Sequence, residues 1–86
     1  MRFRLSRHAK REIERRNIPA DLLDEVLSQP QQVVAERSGR KVYQSRFDFG
    51  CGKIYLLRAV VADDVDPAVV VTAYKTSKID KYWSVP

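Results

Sequence analysis

Residues 31–76, QQVVAERSGRKVYQSRFDFGCGKIYLLRAVVADDVDPAVVVTAYKT, are rich in β-branched and aromatic side chains that alternate with polar ones at a period of two. That alternation marks half-buried strands. Turn-forming residues divide the run at Ser38-Gly39, at Gly50-Cys51-Gly52 and between Asp63 and Pro67. Four strands are therefore predicted, at about Gln32–Arg37, Arg40–Phe49, Lys53–Ala62 and Ala68–Thr76. Connections this short force antiparallel neighbours. In the third strand Tyr55, Leu57, Ala59 and Val61 share one face, and Ile54, Leu56, Arg58 and Val60 the other. In the fourth, the same period sets Val69, Val71 and Ala73 against Val70, Thr72, Tyr74 and Thr76. One face of the sheet is uniformly apolar. On the other, mixed face Arg46, Arg58, Thr72 and Tyr74 can meet.

Upstream the period is helical. Ser6 is a good N-cap, and Ala9, Ile13 and Arg16, with Leu5 before the cap, recur at the spacing of one buried face, so a helix is predicted over Arg7–Arg16. Asn17-Ile18-Pro19 ends it, because proline disfavours helical geometry in the residue before it and suits the first turn of a new helix. A second helix follows over Pro19–Ser28, with Leu22, Leu23, Val26 and Leu27 as its apolar stripe and Asp21 near its N-terminus; Pro30 stops it. Two helices followed by four strands predict an α+β domain in which an N-terminal helix pair packs on a four-stranded antiparallel sheet.

At 86 residues the chain is read as a single domain spanning 1–86, too short for two lobes with a cleft between them. A chain of this size buries only about 60–65% of its unfolded surface, so it holds one core. Apolar runs stay short of a membrane span, and the charged N-terminus is not followed by the apolar segment of a secretory signal, so a cytoplasmic protein without membrane contact is expected. One cysteine and one histidine supply neither an intrachain disulfide nor a four-ligand zinc site, and neither a metal nor a cofactor is expected. Sixteen Lys and Arg against 11 Asp and Glu give a net charge of +5, with a pI near 9.7. Such a balance favours polyanionic partners. The cations gather at the two ends, at Arg2, Arg4, Arg7, Lys10, Arg11, Arg15 and Arg16 and at Lys75, Lys78 and Lys81, while the acids lie between. If both ends pack on one side, the protein bears a basic stripe.

No phosphate-binding glycine loop, carboxylate pair or metal-ligand cluster stands out in the sequence. Cleaving RNA without a metal needs a group to take the 2′-hydroxyl proton, one to protonate the leaving 5′-oxygen, and fixed cations for the charge growing on phosphorus. His8, Tyr74, the lysines and the arginines are of the right types. His8 is the sole side chain whose ordinary pKa lies near neutrality, although an exposed histidine at a helix start with no role fits as well. Arg46 and Arg58 fit an ion-paired strand face, but arginine between Leu56 and Val60 usually holds something planar or anionic. Cys51, between two glycines in a hairpin, has no second histidine to support a thiol nucleophile.

Ser6-Arg7-His8-Ala9, Arg16-Asn17-Ile18, Pro30, Arg40 to Gln44, Leu56-Leu57-Arg58 and the terminal Val71 to Trp83 together resemble the small bacterial domain-of-unknown-function family 4258. The resemblance covers nearly the whole chain. That family looks related to toxins of the BrnT and RelE type, compact ribonucleases of toxin–antitoxin pairs. It implies a catalytic sheet beneath an N-terminal helix pair, with His8 matching the helix histidine, Arg16 the helix-end arginine, and Thr72 and Tyr74 the last-strand motif. Glu12 and Asn17 depart from the pattern, which often has arginine and glycine there.

The resemblance thus leads to a toxin-like, metal-independent endoribonuclease in which His8 and Tyr74 move protons while Arg16, Arg46 and Arg58 hold the scissile phosphate, with Thr72 beside them. Lys10, Arg11, Arg15, Lys75, Lys78, Lys81 and Tyr82 would contact the nucleic acid. RNA and an acidic antitoxin-like protein are the expected partners, and a second copy of the chain is a third. Two other readings stay open. A non-catalytic RNA-binding module could use Tyr43, Tyr55, Tyr74, Tyr82 and Trp83 as stacking platforms, and an inactive relative could act through protein contacts.

Overall fold

The computed structural model describes residues 3–50 and 52–85; Arg2 and Cys51, named above, lie outside the described residues. Its elements are β1 (Phe3–Leu5), α1 (Arg7–Arg15), α2 (Ala20–Ser28), β2 (Gln32–Ala35), β3 (Lys41–Asp48), β4 (Ile54–Ala62), β5 (Ala68–Thr76) and α3 (Ile79–Tyr82). The strands β2 to β5 fall inside the four spans anticipated and pair antiparallel in sequence order.

The expected four-stranded antiparallel sheet is nevertheless a five-stranded mixed one, in the order β1-β5-β4-β3-β2. Phe3–Leu5 runs parallel to β5, with Phe3 opposite Ala68 and Leu5 opposite Val70. Three residues are too few to display a period of two. Short-connection reasoning also could not reveal this pairing, because the link from β1 to β5 runs through both long helices and three strands. The four-residue α3 was likewise not anticipated.

The Ser6 hydroxyl caps α1 by accepting the Ala9 N–H at 3.0 Å, and donates its own proton to the Val71 carbonyl at 3.0 Å, so one side chain both starts the helix and fastens it to β5. At the other end the Asn17 N–H reaches Glu14 O at 3.2 Å and the Ile18 N–H reaches Ile13 O at 3.0 Å. This pair of bonds is the Schellman closure, which needs a left-handed residue after the cap. Asn17 supplies it at φ 53°, which explains why asparagine can stand where the resembled family often has glycine.

α1 packs on β5, and α2 on β3 and β4. Ala9, Ile18, Leu23, Val26 and Leu27 meet Tyr43, Leu57, Ala59, Val61, Val70 and Ala73 in one apolar core. Each large side chain so buried contributes about 1.5–3 kcal/mol. Val70 reaches this core because the pairing slips: Val60 faces Thr72 while Val61 faces Val70, which leaves Val71 as an extra residue. The simple alternation that put Val70 beside Tyr74 therefore fails at this bulge, while Thr72 and Tyr74 stay on the far face. Val42 and Leu56 are wholly buried outside the helix-side core. The end of α3 and the residues after it lie on the far face, where Tyr82 meets Arg58, Trp83 meets Arg46 and Ser84 bonds to Gln32.

Candidate nucleic-acid site

The strand register sets Gln32 opposite Gln44, Gln44 opposite Arg58 and Arg58 opposite Tyr74, a polar row across four strands of the far face. Arg58 Nε donates to Gln44 Oε1 at 2.8 Å, and its Nη1 donates to the Tyr74 hydroxyl. Gln44 Nε2 in turn donates to Gln32 Oε1 at 2.7 Å and to the Tyr82 carbonyl at 3.1 Å. Arg58 is 7% exposed and Gln44 fully buried. A buried guanidinium is tolerated only with partners for its protons and charge. Here it has two hydrogen bonds, the Tyr82 ring face at 4.2 Å and the Tyr74 ring at 5.7 Å. Because the Tyr74 oxygen accepts from Arg58, its own proton is left free to be donated elsewhere.

A second guanidinium arrives from α1. β1 pairs with β5 only as far as Val70, so the later half of β5 has an open edge, and α1 lies along it. Arg16 Nη1 donates to the Ala73 carbonyl at 2.8 Å, and its guanidinium stands 6.0 Å from the Tyr74 ring. Glu12, where the resemblance implied an arginine, holds Arg16 at 2.9 Å and Arg15 at 2.6 Å. The hydrogen bond from Arg15 is the main cause that takes the Glu12 carboxyl down to about 2; burial opposes it, and the charges of Arg15, Arg16 and His8 add to it. Glu12 is nearly buried although the helical spacing had pointed to Arg16 on that face.

The structure thus brings Arg16, Arg58 and Tyr74 together. His8 is exposed in the first turn of α1, one turn before Glu12, and is not among the side chains that bond or stack in this cluster. Thr72 is half-buried opposite Val60. Arg46 stands apart from the phenol: its guanidinium lies 4.3 Å from the Trp83 ring, and its Nε donates to Gln31 Oε1 at 3.4 Å. The residues expected to contact nucleic acid divide between faces. Lys10 and Arg11 are exposed on α1, and Arg15 is tied to Glu12. Lys75 shares the parity of Ala73 and rests 4.7 Å from both the Phe49 and Tyr55 rings, on the helix side. Lys78 is exposed, and Lys81 lies 5.2 Å from the Tyr82 ring. Tyr82 itself is occupied by Arg58.

Gln32, Gln44 and Glu12 were missed from sequence. Gln44 carried a usable signal, since it shares strand parity with Arg46 and aligns with Arg58. A depression of about 490 Å³ lined by Val34, Ala35, Glu36, Arg37, Ser38 and Arg58 opens beside the row. A smaller one of about 300 Å³ lies between Gln32, Val33, Val34 and Ser84, and a third, about 370 Å³ between Phe3, Leu5 and α2, is mostly apolar and lies on the helix side. Among the described residues no group of three or more His, Cys, Asp or Glu gathers, and no helix is long and apolar enough to cross a membrane.

Residues 5–75 match the family described as a domain of unknown function (DUF4258), and the chain belongs to that family. Neither the curated proteins nor the solved structures give a match.

Proposed function

Starting from membership of that family, we propose that the chain is a metal-independent endoribonuclease of the toxin–antitoxin kind, similar to the BrnT and RelE type. The observation that supports this reading is the Tyr74 hydroxyl held by Arg58, with Arg16 anchored on the neighbouring Ala73 carbonyl. Two permanently charged guanidiniums beside one phenolic proton suit a phosphate that gains charge as the 2′-oxygen attacks. Tyr74 gives its proton to the leaving 5′-oxygen, and Arg16 and Arg58 bind the phosphate oxygens. His8, on the exposed side of α1, takes the 2′-hydroxyl proton once RNA fills the space beside α1. Arg46, away from the phenol, binds RNA next to the scissile step rather than at it. An acidic antitoxin would pair with the net charge of +5 and cover Lys10, Arg11 and the site.

The test is cleavage of a labelled RNA by purified protein in chelator, with growth followed after induction in a bacterial host. The parent is expected to cleave and to arrest growth. Tyr74→Phe and His8→Ala, each checked for folding by circular dichroism, should lose about 10²–10⁴-fold in rate while keeping RNA affinity. Parental rates in both folded variants would overturn the chemistry, and binding without cleavage by the parent would make the protein a non-catalytic RNA-binding module.

A further inference from the structure

The far face of the sheet presents two arginines, and each is covered by an aromatic ring from the C-terminal segment: Tyr82 lies 4.2 Å from Arg58, and Trp83 lies 4.3 Å from Arg46. Arg58 pairs with Gln44 and Arg46 with Leu56, so the two guanidiniums belong to adjacent rows of the sheet. Adjacent rows on one face are two residues apart along a strand, or roughly 7 Å. Two glutamine amides complete the surface. Gln44 donates to the Tyr82 carbonyl at 3.1 Å, while Gln32 accepts from the Ser84 N–H at 3.0 Å and donates to the Ser84 carbonyl at 2.6 Å.

Planar rings stacked on arginines, with amide side chains exchanging a donor and acceptors alongside, are what unpaired nucleobases ask of a protein. Bases stack on guanidinium planes, and their edges offer paired donors and acceptors that glutamine can meet. We propose that Arg46, Arg58, Gln32 and Gln44 form a binding site for two successive unpaired bases of single-stranded RNA, and that Tyr82, Trp83 and Ser84 occupy it as an intramolecular competitor. RNA enters as this segment leaves. The face of the Arg58 guanidinium takes a base while its edge stays on Tyr74, which places the two bases immediately beside the phosphate position of the proposed ribonuclease site. The inference rests on that reading for the choice of RNA, and its test is independent of cleavage.

Trp83 is the sole tryptophan, so its emission reports the segment directly. The probe is a fluorescein-labelled hexauridylate with 2′-O-methyl sugars, which has no nucleophilic 2′-hydroxyl and stays intact. Anisotropy of the label measures binding, and Trp83 emission and acrylamide quenching measure displacement. Saturating the full chain should shift Trp83 emission to the red and raise its quenching. Trp83→Ala, which weakens the competitor and spares the site, should bind the probe more tightly. Adding Arg46→Ala in that background should weaken binding by roughly 5- to 150-fold, the range carried by one base stack. If Trp83→Ala does not fold, Ser84→Pro, which removes the donor to Gln32, serves in its place.

Unchanged Trp83 emission at saturation overturns the proposal. So does equal or weaker binding by Trp83→Ala, and so does failure of both the full chain and the opened variant to bind the probe. Binding with displacement but no cleavage of unmodified RNA would uphold this site and reject the nuclease. Cleavage with an undisturbed Trp83 would do the reverse.

Discussion

Replacing Arg58 by methionine probes the polar row at its centre. The substitution keeps much of the apolar stem and removes the guanidinium, leaving Gln44 Oε1 without its donor at a position of zero exposure. An orphaned buried acceptor costs about 1–3 kcal/mol. Loss of the Tyr82 stack adds roughly 0.5–2 kcal/mol. Tyr74 is half-buried, so water replaces most of what its hydroxyl loses. The expected cost of Arg58→Met is about 3 kcal/mol, a large part of the roughly 4–13 kcal/mol that a domain of this length possesses. Gln44→Leu alone should cost about 2 kcal/mol or more, because it strands the buried Arg58 Nε. The double variant removes donor and acceptor together and should cost only about 1–2 kcal/mol, well below the sum of the two. Urea denaturation followed by circular dichroism on the four proteins measures the cycle. Additivity within about 0.5 kcal/mol would refute the idea that Arg58 and Gln44 are held in place chiefly by each other.

Other outcomes follow from particular residues. The Glu12 carboxyl lies at about 2 in the folded chain against 4.5 ordinarily, so its contribution is complete above 4.5 and disappears as pH falls towards 2. Thermal melts between pH 6 and 2.5 should show an acid limb that Glu12→Gln flattens, with the variant less stable at neutral pH. Asn17→Gly should alter stability by no more than about 0.5 kcal/mol, whereas Asn17→Val forces a β-branched residue into the left-handed region and should cost about 1–2 kcal/mol in urea. Leu57→Ala, at a site with no exposure, should cost about 2–5 kcal/mol, while Val33→Ala at 49% exposure should stay within about 0.5 kcal/mol by the same assay.

Where a residue's surroundings lie close in sequence, the fold was legible. The helix break at Asn17-Ile18-Pro19, the stripe of Leu23, Val26 and Leu27, and all four antiparallel strands follow from local spacing and turn chemistry, and they are present. Strand parity also placed Arg58 and Tyr74 on one face, where they bond. What escaped depends on distant partners. Phe3–Leu5 is a strand only because β5 has a free edge, and Val70 changes face because one residue bulges. Tyr82 and Trp83 read as free aromatic platforms until the far face is seen to hold an arginine for each. Glu12 read as a gap in a basic helix face, whereas it fixes Arg15 and Arg16.

The parallel pairing of β1 with β5 also has a meaning for the growing chain. Ser6 and Val71, which fasten the first helix to the last long strand, stand 65 residues apart. At a synthesis rate of about 5–20 residues per second, β1 and α1 leave the ribosome roughly 3–13 s before the strand that receives them exists. Through that interval Leu5, Ala9 and Ile13 have no β5 to lie against, and the edge strand β1 can join the sheet only after β5 has been made. Translation speed over those seconds sets how long the apolar face of the first helix stays uncovered before its strand arrives.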